Sequence, residues 1–144
     1  MEAVLLIGVQ GAGKSTFFRE RFFDTHVRIN LDMLRTRRRE RLLLEACLAG
    51  RQPFVVDNTN VTRAERARYL APARAAGFRV VAYFFDVAPR DALRRNLQRA
   101  GHRALHPAAV FGTAKRLEPP ALGEGFEAIY RVTVGEGTFD VRPM

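Results

Sequence analysis

The sequence contains few of the residues that mark several protein classes: among 144 residues there are one cysteine, two lysines and no tryptophan. The single cysteine, Cys47, excludes an internal disulfide framework and a thiolate metal cluster. Apolar runs such as residues 80–85 are far shorter than the roughly 20 residues of a membrane-spanning helix. The N-terminus also lacks the basic start and small-residue cleavage site of a secretion signal. We therefore expect a soluble, cytoplasmic protein with no membrane partner.

Positive charge is what the sequence has in excess. Lysine and arginine number 24 against 15 acidic residues, which gives a formal net charge of +9 and an isoelectric point near 11.1. Such a balance favours an anionic partner, with nucleic acid first. Because 22 of the basic residues are arginine and alanine is abundant, codon composition alone is an alternative explanation. The length and the dispersed charge fit one domain over residues 1–144.

Apolar runs of strand length alternate with amphipathic segments of helix length, which is typical of βαβ units. We expect strands at residues 3–8, 27–31, 54–56, 79–85 and 128–134. We expect helices at residues 14–23, 33–50, 63–76 and 89–99, with another beginning at Pro107. This pattern predicts an α/β three-layer sandwich around a five-stranded parallel sheet, with a small helical lid at about residues 90–116. The ligand should bind at the carboxyl ends of the strands.

Residues 8–15, GVQGAGKS, match the phosphate-binding pattern G-x-x-x-x-G-K-[ST] between an apolar strand and a helix. Glycines let the backbone curl so that successive N–H groups face phosphate oxygens, and the helix N-terminus adds its positive end. Lys14 is expected to bridge the β- and γ-phosphates of ATP or another nucleoside triphosphate, and Ser15 to bind Mg²⁺. The expected nucleotide ligands are Gly8, Gln10, Gly11, Ala12, Gly13, Lys14, Ser15 and Thr16.

This loop alone does not separate kinases from other nucleotide hydrolases. The chain lacks the N-K-x-D guanine-reading motif and is too short for most motor ATPases, so a small phosphotransferase is favoured. Asp32 follows the second expected strand and is the candidate general base, because a kinase must orient an acceptor hydroxyl and take its proton. A plain helix N-cap is an equally good explanation of Asp32. Arg35 is three residues later, on the same expected helix face, and can bind an anionic part of the acceptor.

Asp57 ends the third expected strand, which is the position of a carboxylate that assists Mg²⁺ directly or through water. Asn58 and Asn60 follow it and are candidates for acceptor binding, although an Asp-Asn-Thr-Asn run is also ordinary turn chemistry. Arg95 and Arg99 are four residues apart on one expected helix and can clamp the transferring phosphoryl group together. A cationic surface helix explains that spacing equally well.

Taken together, these segments resemble the 5′-kinase domain of phage polynucleotide kinases and animal polynucleotide kinase-phosphatases. The segments that carry the resemblance are GVQGAGKST, INLDMLR, VVDNTNVTRAERARYLAPARAAGFRVVAYFF, RNLQR and KRLEPPALGEGFEAIYRV, in the family's order. The resemblance implies that Asp32 is the general base and that Arg35 contacts the phosphate next to the acceptor's 5′-hydroxyl. It also implies that Lys14 and Ser15 serve ATP and Mg²⁺, and that Arg95 and Arg99 are lid arginines reaching the ATP phosphates.

Arg35 matches the phage-type D-x-x-R pattern, which is not general among the animal enzymes. The chain has no D-x-D-x-T phosphatase motif, so kinase activity alone is expected. The sequence thus predicts an ATP- and Mg²⁺-dependent polynucleotide 5′-hydroxyl kinase that acts on DNA or RNA ends, in end repair. Two alternatives stay open: a P-loop kinase for an antibiotic, nucleoside or sugar, and a non-catalytic, nucleotide-dependent nucleic-acid-binding protein.

Overall fold

The computed structural model of the protein describes residues 1–97 and 105–144. Over these residues the strands are β1 (Glu2–Ile7), β2 (Val27–Ile29), β3 (Phe54–Asp57), β4 (Arg79–Phe85), β5 (Ala128–Val134) and β6 (Phe139–Pro143). The helices are α1 (Lys14–Arg21), α2 (Leu31–Leu34), α3 (Arg37–Ala49), α4 (Arg63–Ala75), α5 (Pro89–Leu97) and α6 (Pro107–Arg116). The expected end of the fifth helix, at residue 99, lies outside the described residues.

The sheet has the strand order β2-β3-β1-β4-β5-β6. Strands β1 to β5 run parallel, with β1 paired to both β3 and β4. The chain runs from β1 to β2 and β3 on one side, and β4 and β5 lie on the other side of β1. A crevice therefore opens at the carboxyl end of β1, which is where parallel sheets of this kind bind their ligands.

Strand β6 corrects the expectation of five strands. It pairs antiparallel with β5, as Val132 opposite Val141 illustrates, and it closes a tight turn in which the Gly135 N–H donates to the Thr138 carbonyl over 3.0 Å. Because β6 is a largely exposed edge strand that ends in Pro143, its sequence shows no continuous apolar run. Edge strands lack the two-sided burial that makes central parallel strands visible in a sequence.

Helices cover both faces of the sheet, which confirms the predicted three-layer α/β architecture. On one face Ala3, Leu5 and Ile7 pack against α3 and α4, and on the other Val4 and Leu6 pack against α1, α5 and α6. The helix residues in these two cores are Leu44, Cys47, Tyr69, Leu70 and Ala73 on the first face, and Phe17, Phe18, Ala92 and Val110 on the second. Alternate β1 side chains thus enter opposite cores, as the pleat of a strand buried on both faces requires.

The long helix expected at residues 33–50 is wrong, because the structure has two helices there. Helix α2 is capped by Asn30, whose Oδ1 accepts from the Met33 N–H over 2.8 Å, and α3 by Thr36, whose Oγ1 accepts from the Arg39 N–H over 3.1 Å. Between them Arg35 has a φ of 77°, a left-handed conformation that interrupts a right-handed helix. Thr36, a good N-cap residue inside the arginine run, was the sequence signal for this second start.

Helix α4 begins after its N-cap Thr62, where the side chains of Thr62 and Glu65 each accept from a backbone N–H group. Thr62 Oγ1 accepts from the Glu65 N–H over 3.2 Å, while Glu65 Oε2 accepts from the Val61 N–H over 3.0 Å. Among the helices of the described ranges, none has both the length and the apolar composition that crossing a bilayer demands.

Candidate active site

The phosphate loop, residues 8–15, joins β1 to α1 at the crevice. Gly11 and Gly13 have φ values of 80° and 105°, which only glycine adopts at low cost. A Cβ on Gly11 would lie 2.6 Å from Leu105 Cδ1 and 3.1 Å from the Ala92 carbonyl oxygen. Since Gly13 is the N-cap of α1, no side chain at that position covers the first N–H groups of the helix. The loop therefore fits a phosphate group, which helix N-termini of this form bind.

Lys14 is buried beneath this loop, and its Nζ donates to the carbonyls of Gly8 and Val9 over 2.9 and 2.7 Å. Burial lowers the pKa of Lys14 to about 8, and the negative charge of Asp57 opposes part of that change. An ammonium group held in this way lacks the hydration that normally stabilises its charge. Phosphate oxygens at the loop would supply that stabilisation, so the site is electrostatically suited to a nucleotide.

Ser15 and Asp57 lie together at the carboxyl ends of β1 and β3. Ser15 Oγ donates to Asp57 Oδ2 over 2.9 Å, and Arg28 Nε donates to the same oxygen, also over 2.9 Å. Octahedral Mg²⁺ with bonds of about 2.0–2.1 Å holds adjacent oxygen ligands about 2.9 Å apart. The hydroxyl and the carboxylate thus have the chemistry and the spacing of a Mg²⁺ ligand pair, and Ser15 and Asp57 stay the predicted metal ligands.

Asp32 and the phosphate loop line one shared cavity. The cavity has a volume of about 600 Å³, and its lining includes Asp32, Lys14, Ser15 and Asp57. Asp32 is in the first turn of α2, whereas Asn30 provides the N-cap, so its carboxylate is not needed for capping. The structure therefore brings the predicted base and the predicted phosphate-binding residues into one space.

Asn58 fixes the start of the short helix that carries Asp32. Its Oδ1 accepts from the Leu31 N–H over 2.9 Å, and Asn30 Nδ2 donates to the Asp57 carbonyl over 2.6 Å. These two hydrogen bonds attach α2 to the end of β3. Asn58 lines the cavity as well, and its contact with an acceptor stays a prediction.

Asn60 also lines the cavity, but its amide holds the sheet edge together. Asn60 Nδ2 donates to the Leu6 carbonyl over 2.7 Å, and the neighbouring Thr59 carbonyl accepts from the Gly8 N–H over 3.1 Å. The segment after β3 is thereby hydrogen-bonded to the end of β1 and to the first residue of the phosphate loop. Arg66, which is fully buried, donates to the Asn60 carbonyl over 3.0 Å and so fixes the far end of that segment.

A cluster that the sequence did not reveal contributes Arg37, Asn58 and Tyr69 to the cavity lining. Glu40 is only 2% exposed, and its carboxylate accepts from Arg37 over 2.8 Å, from Tyr69 over 3.0 Å and from Asn58 over 3.2 Å. Burial and the adjoining Glu40 carboxylate raise the pKa of Tyr69, so its hydroxyl stays a hydrogen-bond donor. Arg37 and Tyr69 both line the cavity.

One sequence signal could have revealed this cluster. Glu40, Leu44 and Cys47 have the four- and seven-residue spacing of a single helix face, and the two apolar residues indicate that this face is buried. A carboxylate on such a face requires partners. The dense arginines around Glu40 hid that signal, because they suggested that the whole segment was a solvated surface.

Of the arginines within residues 35–41, only Arg37 lines the cavity. Arg35 is exposed at the C-terminal end of α2 and is absent from the cavity lining, whereas Arg37, Arg68 and Arg19 line it. The helix break at Arg35 removes the shared helix face that was expected for Asp32 and Arg35. The acceptor contact of Arg35 stays a prediction, and Arg37, Arg68 and Arg19 are the arginines that line the cavity together with Asp32.

Arg95 lies against the phosphate loop. Its Nη1 donates to the Ala12 carbonyl over 3.1 Å, and a Cβ on Gly13 would lie 3.3 Å from that same nitrogen. Arg99, its expected partner in binding the ATP phosphates, lies outside the described residues. Of the other loop residues, Gln10 donates to Thr113 Oγ1 over 3.0 Å, and Thr16 accepts from Arg19 over 3.5 Å.

A family model described as an AAA domain, AAA_33, matches residues 4–120. Similar solved structures include a gluconokinase from Sinorhizobium meliloti 1021, with 20% identity and a TM-score of 0.69 over 94% of this chain and 83% of that one. Kti12 from Chaetomium thermophilum, solved in complex with ADP-AlF3, has 15% identity and a TM-score of 0.63 over 91% of this chain and 88% of that one.

A structure of the PezAT chromosomal toxin-antitoxin system of Streptococcus pneumoniae is also similar. It has 18% identity and a TM-score of 0.61 over 91% of this chain and 67% of the other. At these identities the three likenesses establish the fold alone, which is that of a P-loop kinase-like domain. They leave the acceptor to be argued from this chain's own residues.

Proposed function

The chain belongs to the AAA domain family AAA_33 and has a P-loop kinase-like fold, and from this premise we propose that it is an ATP- and Mg²⁺-dependent polynucleotide 5′-hydroxyl kinase. One observation carries the proposal: Asp32 and the phosphate loop line the same cavity, and Arg37, Arg68 and Arg19 line it with them. A carboxylate, a phosphate cradle and several guanidinium groups in one space suit an acceptor that has both a hydroxyl and a phosphate.

In this proposal the phosphate loop binds ATP, and Asp32 orients the 5′-hydroxyl and accepts its proton. The hydroxyl oxygen forms a bond to the γ-phosphorus, while the bridging oxygen leaves with its electron pair as part of ADP. Lys14 and Arg95 neutralise the charge on the transferring group and on the leaving ADP. Ser15 and Asp57 would hold Mg²⁺, which supplies further positive charge to the phosphate oxygens when bound.

We call the part of the cavity lined by Asp32, Arg37, Asn58 and Tyr69 the acceptor side. Its groups are suited to bind a polyanion. Arg37 lines the cavity, and its guanidinium donates to Glu40 and to Tyr69, which favours one position of the side chain before any acceptor binds. A fixed guanidinium recognises phosphate through paired hydrogen bonds. The net charge of +9 would add long-range attraction for DNA or RNA.

A small polar acceptor is the second candidate, and the size of the cavity favours it. At about 600 Å³ the cavity is within the range of small-molecule sites, which span roughly 300–1,000 Å³. The gluconokinase with the same fold acts on a small acceptor by its name. In this alternative the arginines would bind a phosphorylated or carboxylated small molecule, and the surface charge would play no part.

Incubation with γ-labelled ATP and a panel of acceptors separates the candidates. The panel consists of a 5′-hydroxyl oligonucleotide, the same oligonucleotide with a 5′-phosphate, a nucleoside 3′-phosphate and a set of sugars. We expect label on the 5′-hydroxyl oligonucleotide and none on its 5′-phosphorylated form. Label on the sugars alone would favour the small-molecule kinase. Salt-sensitive oligonucleotide binding without any label would favour a non-catalytic nucleic-acid-binding protein.

A further inference from the structure

Arg28, on β2, contacts both side chains that the site offers to Mg²⁺. Its Nε donates to Asp57 Oδ2 over 2.9 Å, and its Nη2 donates to Ser15 Oγ over 3.1 Å. The Ser15 hydroxyl in turn donates to the same Asp57 oxygen over 2.9 Å. The guanidinium therefore completes a triangle with the hydroxyl and the carboxylate.

The side chain of Arg28 is held in this position from two further directions. Its Cζ lies 6.0 Å from the centroid of the Phe18 ring, and its Nη1 lies 3.9 Å from Met33 Sδ. The side chain is 28% exposed, whereas that of Asp57 is 2% exposed. A carboxylate buried to this degree needs an adjacent positive charge, and Arg28 provides it as a direct ion pair.

A divalent cation bound to Ser15 and Asp57 would compete with this guanidinium. Both would require the same carboxylate oxygen and the same hydroxyl oxygen, and two positive charges at such short distance repel strongly in a partly buried site. The Arg28 guanidinium can move away from Asp57 towards solvent, because the long Arg28 side chain is the more exposed member of the pair.

We propose that Arg28 is a built-in counter-cation for the metal site: it holds Asp57 and Ser15 as a preformed ligand pair and swings away when Mg²⁺ arrives with the nucleotide. Arg28 is thus a positioning residue that opposes binding of the free metal. Entry of the metal then depends on phosphate oxygens, which add ligands and negative charge. The inference rests on nucleotide binding alone and is independent of the acceptor.

Binding of Mn²⁺, a spectroscopic substitute for Mg²⁺, tests this role without any turnover. Titration followed by electron paramagnetic resonance, with and without ADP, compares the unaltered protein with R28Q, R28K and R21Q. R28Q keeps a polar side chain but removes the charge, and R28K keeps the charge. R21Q removes the same charge from an exposed position on α1.

We expect R28Q to bind Mn²⁺ about tenfold more tightly, with the larger gain in the absence of ADP. R28K and R21Q should differ little from the unaltered protein. Equal or weaker Mn²⁺ binding by R28Q would overturn the proposal, because it would mean that Arg28 does not compete with the metal. A tenfold gain in R21Q as well would also overturn it, since general charge would then explain the effect.

A second measurement needs no variant and decides the matter if R28Q does not fold. In the unaltered protein the Arg28 Nε–H is hydrogen-bonded to Asp57, so its nuclear magnetic resonance signal should exchange slowly with solvent. We expect the signal to shift and lose its protection when Mg²⁺ is added with ADP. A signal that keeps its position and its protection at saturating Mg²⁺ and ADP would show that the guanidinium does not move.

Discussion

The two sides of the cavity are built in different ways. The donor side, the phosphate loop, is made of backbone whose shape depends on Gly11 and Gly13, within one stretch of the chain. The acceptor side is made of side chains from α2, α3, α4 and the segment after β3, joined through the buried carboxylate of Glu40. A backbone site serves any enzyme that holds a phosphate, whereas a site made of side chains can change its acceptor through a few substitutions. Variants on the two sides should therefore have separable effects.

The largest effect is expected at Asp32, the proposed general base on the acceptor side. Asp32→Asn should lower turnover by about 10²–10⁴-fold, because general bases contribute on that scale. ADP affinity should stay unchanged, since Asp32 has no contact with the phosphate loop in its predicted role. Single-turnover rates and calorimetric ADP binding measure the two quantities.

The control for that variant is Asp24→Asn, which removes an exposed carboxylate near the end of α1. It should leave both quantities unaltered. Normal turnover in Asp32→Asn would remove the base role, and joint loss of turnover and ADP affinity would place Asp32 on the donor side.

The next effect concerns the buried cation of the donor side. In the folded protein the pKa of Lys14 is about 8, below its ordinary value of 10.5. Between these values the unfolded chain binds more protons, so stability should rise with pH from about 8 to 10.5, by on the order of 3 kcal/mol. Below pH 8 both forms are protonated and the full cost of the buried charge is present.

Lys14→Met should lose that rise and be more stable than the unaltered protein at pH 7, while it loses nucleotide binding. Denaturant unfolding at several pH values between 7 and 10.5 measures the difference. Parallel stability profiles for the two proteins would mean that Lys14 titrates normally.

A smaller effect separates loop shape from glycine conformation in general. Gly11→Ala should weaken ADP binding at least tenfold, because the new Cβ meets the Ala92 carbonyl oxygen at 3.1 Å and alanine must adopt a left-handed conformation. Gly77→Ala is the matched control, since Gly77 has a φ of 81° and a Cβ added there would have no atom within 4 Å. It should cost about 1 kcal/mol of stability and leave ADP affinity intact. Equal ADP affinity in the two variants would contradict the account of the donor side.

The smallest effect distinguishes Arg37, which lines the cavity, from Arg35, which does not. Arg37→Gln should raise the acceptor KM by about tenfold, in line with the loss of one charged hydrogen-bonding group. Arg35→Gln should raise it less, because Arg35 is outside the cavity lining. Both variants should keep the KM for ATP. A larger effect at Arg35 would support the phage-type D-x-x-R contact that the resemblance implies.

The same contrast explains what could be predicted from the sequence. The phosphate loop and the strands β4 and β5 follow from contiguous residues, and their bounds as predicted at 79–85 and 128–134 agree with the structure. Apart from the Arg37–Glu40 pair, the hydrogen bonds of the cluster around Glu40 join residues 11–32 positions apart. The spacing of Glu40, Leu44 and Cys47 indicates a buried helix face, but no local pattern identifies these distant partners. Arg28 escaped notice for the same reason, because its ion pair with Asp57 forms only when β2 and β3 align.

The central claim is that one cavity brings an acceptor's 5′-hydroxyl to Asp32 while the phosphate loop holds the nucleotide. A crystal structure with ADP, aluminium fluoride, Mg²⁺ and a 5′-hydroxyl oligonucleotide tests it most directly. We predict the terminal hydroxyl oxygen at hydrogen-bonding distance from the Asp32 carboxylate, about 2.6–3.2 Å. An oligonucleotide end bound elsewhere, or an Asp32 carboxylate turned away from the hydroxyl, would contradict the account.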